Sequence, residues 1–169
     1  MQKPTPTTYL AYFEKYVNLV PEQDLFEAFA NQFPILKSFL AAVPSNKQEY
    51  TYADSKWTMK EMLLHMIDTE RIFSYRALCI ARGEQGCLLG FNENRYAENS
   101  NANSRSWQSL VDEFLIVRQS TEHLFKSFTK EALEKKGTAN DNPLTVISTG
   151  YILLGHFYHH KKVAEEKYL

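Results

Sequence analysis

The sequence predicts an all-α protein folded as an antiparallel four-helix bundle. Four segments carry apolar residues three and four positions apart, which is the spacing of an amphipathic helix. Polar connections, alternately short and long, separate these segments, as expected between helices that pack side by side. Of 169 residues 44% are apolar, which is enough for one domain, residues 1–169, with a sizeable core.

The first long helix is predicted to begin near Pro21 and to run to Val43. Proline suits the first turn of a helix, and the acidic residues that follow it complement the positive end of the helix dipole. Pro34 lies inside this segment and is expected to kink the helix, because proline has no backbone N–H to donate. Residues 1–20 are expected to form an N-terminal arm or a short helix that lies across the bundle.

The second helix has the clearest ends. Thr58 and Glu61 form a capping-box pattern, since each side chain can accept a hydrogen bond from the other residue's backbone N–H. Gly83 ends the helix, because glycine readily adopts the left-handed conformation that follows a last helical turn. The connection from Gly83 to Arg105 is rich in Gly, Asn and Ser, and its length predicts a functional lid or a mobile loop.

The third and fourth helices are separated by a polar break at residues 135–142. Ser104 or Ser106 can cap the third helix, whose apolar stripe begins at Trp107. The fourth helix is predicted to begin near Pro143 and to continue to the C-terminus.

Charge and composition exclude several classes of function. A formal net charge of −1 and a pI near 6.5 give no field that attracts nucleic acid, so no nucleic-acid partner is expected. No apolar run approaches the length of about 20 residues that spans a bilayer, and the first residues lack the apolar core of a signal peptide. Cys79 and Cys87 form no CxxC pair and are interpreted as free thiols. We therefore expect a cytoplasmic protein without a membrane partner.

Three of the five histidines lie close together in the last predicted helix. His156 and His160 are four residues apart, which on a helix places their Cβ atoms roughly 5–6 Å apart, so both imidazoles can bind one metal ion. His65 lies on a mostly apolar face of the second helix and is the candidate third ligand. The alternative is that these histidines are satisfied core residues or surface residues. His159 points to a more polar side, where it can hydrogen-bond at the rim of the site.

Motifs on three of the helices and in one loop occur in an order and spacing that is typical of one family. They are Trp57, Thr58, Met62, His65, Asp68, Glu70, Arg71 and Arg76, then Leu89-Gly90-Phe91-Asn92-Glu93, then Arg118, and finally Gly155, His156, His159, His160, Tyr168 and Leu169. Together they resemble the DinB/YfiT-like superfamily, over about residues 21–168. One departure is Asn92, which stands where an acidic residue is common in the family.

This resemblance implies an up-down-down-up four-helix bundle, often dimeric, in which three histidines from the second and fourth helices hold a divalent metal. Carried onto this chain, the ligands are His65, His156 and His160. The resemblance also implies metal-dependent transfer of a low-molecular-weight thiol of the bacillithiol, mycothiol or glutathione type. We therefore expect a small-molecule substrate, such as one of these thiols, and a homodimer.

Three neutral imidazoles predict an open metal centre. They leave the double positive charge of the ion intact and occupy only three positions, so that water or substrate can take the rest. The leading hypothesis is a thiolate that attacks an electrophilic carbon or epoxide. The alternatives are a metal-dependent hydrolase and a non-catalytic, stress-associated bundle that the metal only stiffens. Zinc or nickel is the expected ion, although imidazole also suits copper and iron.

Several polar residues are candidates for a role beside the metal. Asp68 and Thr69 lie one turn beyond the predicted ligand of the second helix and can orient an imidazole or a bound water. The candidate catalytic residues are Asp68, Arg76 and Arg118. The two arginines can bind a substrate carboxylate through two hydrogen bonds, or form an ion pair with Asp68 or Glu113. Trp57 and Tyr151 are assigned to the core or to the mouth of the pocket. Glu70 and Arg71 are expected to face solvent or to form an ion pair between helices. His123 is assigned to the surface.

Overall fold

Four long helices carry the fold in the computed structural model, which describes residues 2–169. The helices are α1 (Glu14–Val17), α2 (Leu25–Ala42), α3 (Met59–Arg82), α4 (Glu93–Glu98), α5 (Trp107–Lys126), α6 (Lys130–Glu134) and α7 (Val146–Lys167). Short 3₁₀ turns occupy Pro6–Thr8, Ala11–Phe13, Ser45–Lys47 and Ala102–Ser104, and a two-stranded sheet joins β1 (Lys136–Ala139) to β2 (Asn142–Thr145). The predicted bundle is confirmed, and its four long helices are α2, α3, α5 and α7.

Cross-helix contacts give the direction of each long helix. Glu70 of α3 pairs with Arg118 of α5 and Ser74 pairs with Thr121 further along, so these two helices run the same way. Helices α2 and α7 also run in the same direction, as shown by the contacts Gln32–Leu154 and Phe39–Phe157. Helices α2 and α5 run in opposite directions, as shown by the contacts Phe29–Phe125 and Leu40–Trp107. The topology is therefore up-down-down-up.

Helix α2 begins at Leu25, so the predicted start near Pro21 is wrong. The side chain of Asp24 accepts hydrogen bonds from the backbone N–H groups of Phe26 and Glu27, at 2.9 and 3.1 Å, and this cap fixes the first turn. The helix continues without a break through Pro34.

The predicted ends of α3 are confirmed. Thr58 and Glu61 form the reciprocal capping box, with hydrogen bonds of 3.1 and 2.7 Å. Gly83 follows the last turn in the left-handed conformation, at φ 91°. These caps fix the position of α3, on which His65 lies.

The connection from α3 to α5 contains more structure than the sequence predicts. Helix α4 folds within it, capped by the side chain of Asn92, and Leu88 pairs with Ala139 of β1. Ser106 caps α5 by accepting a hydrogen bond from the backbone N–H of Ser109 at 3.2 Å. The connection therefore lies against the bundle and the hairpin.

The polar break before α7 is a β-hairpin, which the sequence analysis missed. Asn140 and Asp141 make its turn, both at positive φ (50° and 60°), a conformation that Asn and Asp tolerate better than most residues. Pro143 lies in β2, so the predicted start of α7 near Pro143 is also wrong. Thr145 caps the helix in a reciprocal pair with Ser148.

The N-terminal arm lies across the bundle as predicted. Tyr16 and Val17 of α1 are buried, and α1 packs against α7. A Cβ atom added to Gly155 of α7 would overlap the backbone carbonyl of Tyr16, so glycine permits this close approach. None of the described helices has the length and apolar character needed to cross a membrane.

Candidate metal centre

Three imidazoles from two helices converge at one point inside the bundle. The Nε2 atom of His156 lies 3.1 Å from Nε2 of His65 and 2.9 Å from Nε2 of His160. One nitrogen from each ring lies within 4.8 Å of the others. The structure therefore brings together all three predicted ligands.

The helical spacing and the topology together explain this convergence. His156 and His160 are one turn apart on α7, and their ring centroids are 4.4 Å apart. Because α3 and α7 run in opposite directions, His65 near the start of α3 faces the second half of α7. Trp57 packs over the His65 ring, with the two ring centroids 4.7 Å apart, and limits its orientation.

The three rings fit a metal ion. Two nitrogens bound to a tetrahedral zinc at about 2.0–2.1 Å lie about 3.3 Å apart, which is close to the observed spacing. A neutral imidazole offers one N–H and one lone pair, so nitrogens that meet in this way cannot all be satisfied by one another. A single cation would accept all three lone pairs. In addition, Nδ1 of His160 is buried without a hydrogen-bond partner among the described residues.

Burial keeps these histidines neutral. It lowers the pKa of His65 to about 4, while the nearby Glu93 carboxylate opposes this shift and His159 adds to it. Burial also lowers the pKa values of His156 and His160 well below their usual range, and the neighbouring imidazoles lower them further. All three rings are therefore in the neutral form that metal binding requires near neutral pH.

A cavity of about 430 Å³ opens in front of the three rings. Its walls come from the N-terminal arm, α3, the start of α4, the hairpin and α7, and they include Tyr12, Phe73, Phe91 and Asn140. This volume is within the range of small-molecule sites. The cavity gives a ligand room to reach a metal ion held by the three histidines, which is the condition for an open metal centre.

Arg118, one of the candidate catalytic residues, lies outside this cavity in a buried ion pair. Its guanidinium donates to both carboxylate oxygens of Glu70 at 2.8 Å and to the side-chain oxygen of Gln32. Only 1% of Arg118 is exposed. Its acidic partner is Glu70, and neither Asp68 nor Glu113 pairs with it, because Glu70 points into the interface between α3 and α5.

Asp68 also lies outside the cavity. Its carboxylate is half-buried and stands 3.8 Å from Nη1 of Arg71, and burial raises its pKa. Thr69, the next residue, lines the cavity, and its buried hydroxyl has no hydrogen-bond partner in the part of the chain that the structure describes. Of these two residues, Thr69 is the one placed to contact a ligand.

Arg76, the remaining candidate, lines the cavity further along α3. Its Nη2 donates to the backbone carbonyl of Leu89 at 2.8 Å, and the guanidinium carbon lies 4.8 Å from the centroid of the Phe73 ring. His159 lines the cavity beside Tyr16, with ring centroids 5.3 Å apart. Four other residues considered in the sequence lie outside the cavity. Tyr151 is fully buried, His123 is exposed at the end of α5, and Cys79 and Cys87 are free thiols.

Sequence reasoning missed Glu93 and Lys15 as residues of the site. Both line the cavity, and the charge of Glu93 acts on His65. Glu93 reaches the site because the connection between α3 and α5 folds back over the bundle. No periodic pattern predicts this, although Glu93 belongs to the loop motif that carries the family resemblance.

Fold and site together define a helical-bundle protein with a candidate three-histidine metal centre. The chain belongs to the DinB superfamily, whose family model matches residues 10–164, so the resemblance seen in the sequence is confirmed. None of the curated protein sequences compared with the chain is significantly similar to it.

Solved structures that share the fold include those of two proteins. One is YfiT from Bacillus subtilis, described as a probable metal-dependent hydrolase with an unusual four-helix bundle topology. It is 14% identical, with a TM-score of 0.72 over 97% of this chain and 92% of that one. The other is the mycothiol-dependent maleylpyruvate isomerase, 10% identical, with a TM-score of 0.65 over 89% of this chain and 59% of that one. A mutant form of the isomerase gives the same values.

Proposed function

We propose that the chain is a metal-dependent enzyme that transfers a low-molecular-weight thiol to an electrophilic carbon. The observation that carries this proposal is the convergence of three neutral imidazoles on the wall of a cavity of about 430 Å³. A divalent cation, zinc or nickel, held there would lower the pKa of a thiol or a water molecule bound beside it. A purely structural ion would be expected in a sealed, four-coordinate site.

The residues of the chain around the cavity suit a proton-transfer reaction. Glu93 is a carboxylate that lines the cavity and whose charge acts on His65, so it can take the proton of the thiol and return it to the oxygen of an opened epoxide. The Thr69 hydroxyl is free to donate a hydrogen bond to the reacting molecule. Aromatic residues from the arm and the loop, among them Tyr12 and Phe91, line the cavity.

Hydrolysis is the second candidate function. It is favoured by Glu93, which can equally act as the base for an attacking water molecule, and by the description of YfiT as a probable metal-dependent hydrolase. The description of the isomerase as mycothiol-dependent favours the thiol reaction. Both reactions use the same centre and differ in the nucleophile.

The experiment compares thiol consumption with hydrolysis in protein loaded with zinc or nickel. Bacillithiol, mycothiol and glutathione are each tested with an epoxide and with a chloro-substituted electrophile, and ester hydrolysis is tested without thiol. We expect thiol consumption that His65→Ala abolishes and His123→Ala, a change at an exposed histidine, leaves intact. Hydrolysis without thiol consumption would favour the second candidate, and activity retained in His65→Ala would contradict both.

A further inference from the structure

Two arginines are buried among the residues that the structure describes, and only one of them has a carboxylate partner there. Arg118 is 1% exposed and forms a two-pronged pair with Glu70. Arg76 is 6% exposed and has no acidic partner among the described residues. Because a buried charge without a counter-charge is unfavourable, Arg76 is a site where an anionic ligand would be stabilised.

The hydrogen bonds of Arg76 point to the same conclusion. Of its donors, only Nη2 has an acceptor in the described part of the protein, the carbonyl of Leu89. The guanidinium carbon is 4.8 Å from the centroid of the Phe73 ring and 6.0 Å from that of Phe91, so the rings orient it without neutralising it. Burial lowers the pKa of the Arg76 guanidinium, and Cys87, which opposes this shift, is not a carboxylate.

Arg76 lies on the same stripe of α3 as the candidate metal ligand. It follows His65 by eleven residues, which is close to three full turns and a rise of about 16 Å, and both residues line the cavity. Between them lies Thr69, whose buried hydroxyl has no hydrogen-bond partner among residues 2–169. The cavity therefore offers a metal-binding end, a polar contact in the middle and a cationic end.

We propose that Arg76 binds a carboxylate of the substrate, which makes the substrate a small anion with its metal-binding group at the end remote from that carboxylate. The fork of N–H donors on an arginine matches the two oxygens of a carboxylate. Lys15 lines the same cavity and adds a second positive charge, against the single negative charge of Glu93. This inference rests on the proposed function only in placing the thiol of the substrate at the three histidines.

The test uses thiols that differ only at their far end. The protein is loaded with cobalt(II), and mercaptohexanoate and mercaptohexanol are titrated while the visible absorption of the cobalt is recorded. The pair mercaptoacetate and mercaptoethanol is too short to reach both ends of the cavity and serves as the length control. The variants are Arg76→Met, Arg76→Lys and Arg82→Met, the last removing an exposed arginine from the same helix. Circular dichroism and mercaptohexanol binding check that each variant folds.

We expect wild-type protein to bind mercaptohexanoate about tenfold to hundredfold more tightly than mercaptohexanol, as for a hydrogen bond to a charged group. The preference is lost in Arg76→Met, partly kept in Arg76→Lys and unchanged in Arg82→Met, and the short pair shows none. Equal binding of the two long thiols by wild-type protein, or a preference that survives in Arg76→Met, overturns the inference and leaves the proposed function standing. If neither long thiol changes the cobalt spectrum, the proposed function fails, and this inference fails with it. If Arg76→Met does not fold, Arg76→Lys decides, since an undiminished preference in that variant overturns the inference.

Discussion

The Nε2 atoms of His65 and His156 lie 3.1 Å apart, although 91 residues separate the two histidines in the sequence. The antiparallel packing of α3 against α7 produces this contact, and a capping box sets where each of the two helices begins. His160 adds its own Nε2 atom, 2.9 Å from that of His156, because it lies one turn further along α7. The site is therefore a consequence of helix packing, and substitutions in that packing test it.

Replacing Thr69 with valine should separate ligand binding from stability. Because the Thr69 hydroxyl is buried without a partner among the described residues, Thr69→Val should leave the free energy of unfolding unchanged or raise it by about 1 kcal/mol. The affinity of the metal-loaded protein for thiols should fall. Urea unfolding and thiol titration measure the two effects.

The matched control is Thr121→Val. Thr121 is equally buried, but its hydroxyl pairs with that of Ser74 at 3.0 Å, so this change should lower the free energy of unfolding by about 1 kcal/mol. A comparable loss of stability in Thr69→Val would show that its hydroxyl has a structural partner.

Removing only one partner of the buried pair of Arg118 and Glu70 should strongly destabilise the protein. Arg118→Met leaves the Glu70 carboxylate buried without its partner, and we expect a loss of roughly 3–5 kcal/mol in the free energy of unfolding. The double change Arg118→Met with Glu70→Leu should recover much of that loss, since it removes both charges. Denaturant unfolding of the single and double variants gives the coupling. Equal stability in Arg118→Met and wild type would contradict the buried pair.

Gly155 should be required for the N-terminal arm to pack on α7. Gly155→Ala places a methyl group against the carbonyl of Tyr16, so the arm has to move, and we expect a loss of about 1–3 kcal/mol in the free energy of unfolding. Proteolysis within the first 20 residues should also become faster. Gly86→Ala is the control, since a Cβ there meets only the end of the flexible Glu84 side chain at 3.4 Å. An arm that stays protected in Gly155→Ala would argue against this close approach.

Stability of the metal-free protein should fall in acid because of His65. Its pKa is about 4 in the folded protein and about 6.5 when unfolded, so the unfolded state takes up the proton first as the pH falls. The contribution of His65 to the free energy of unfolding is complete above pH about 6.5, and it is lost progressively as the pH falls from about 6.5 to about 4. Urea unfolding at several pH values, with a chelator present, should show a smaller decline in His65→Gln than in wild type. The exposed His123 provides the control variant, His123→Gln, and an identical decline in all three proteins would remove His65 as the cause.

The sequence predicts the features that depend on local patterns. Apolar periodicity gives the four long helices, and Thr58 with Glu61 and Gly83 gives both ends of α3, because these signals act within one or two turns. The histidines of α7 are recognisable for the same reason, since a spacing of four places them on one face.

Features that depend on distant pairing are not predictable in this way. The hairpin depends on a turn at Asn140 and Asp141 in a segment without strand-like alternation. Likewise, the partner of Arg118 follows from which face of α3 meets α5, and Glu93 reaches the site only after the connection folds back. Each of these contacts is set by packing between segments that local periodicity treats as independent.

The most direct test of the metal centre is the metal content of purified protein. Wild-type protein, the double variant His65→Ala with His156→Ala, and the control His123→Ala are each loaded with zinc or nickel, passed through a desalting column and analysed by mass spectrometry. Circular dichroism shows that each protein is folded. We predict about one ion per chain in wild type and in the control, and none in the double variant, because a single remaining imidazole cannot hold the ion. Equal metal in the double variant and in wild type would contradict the three-histidine centre.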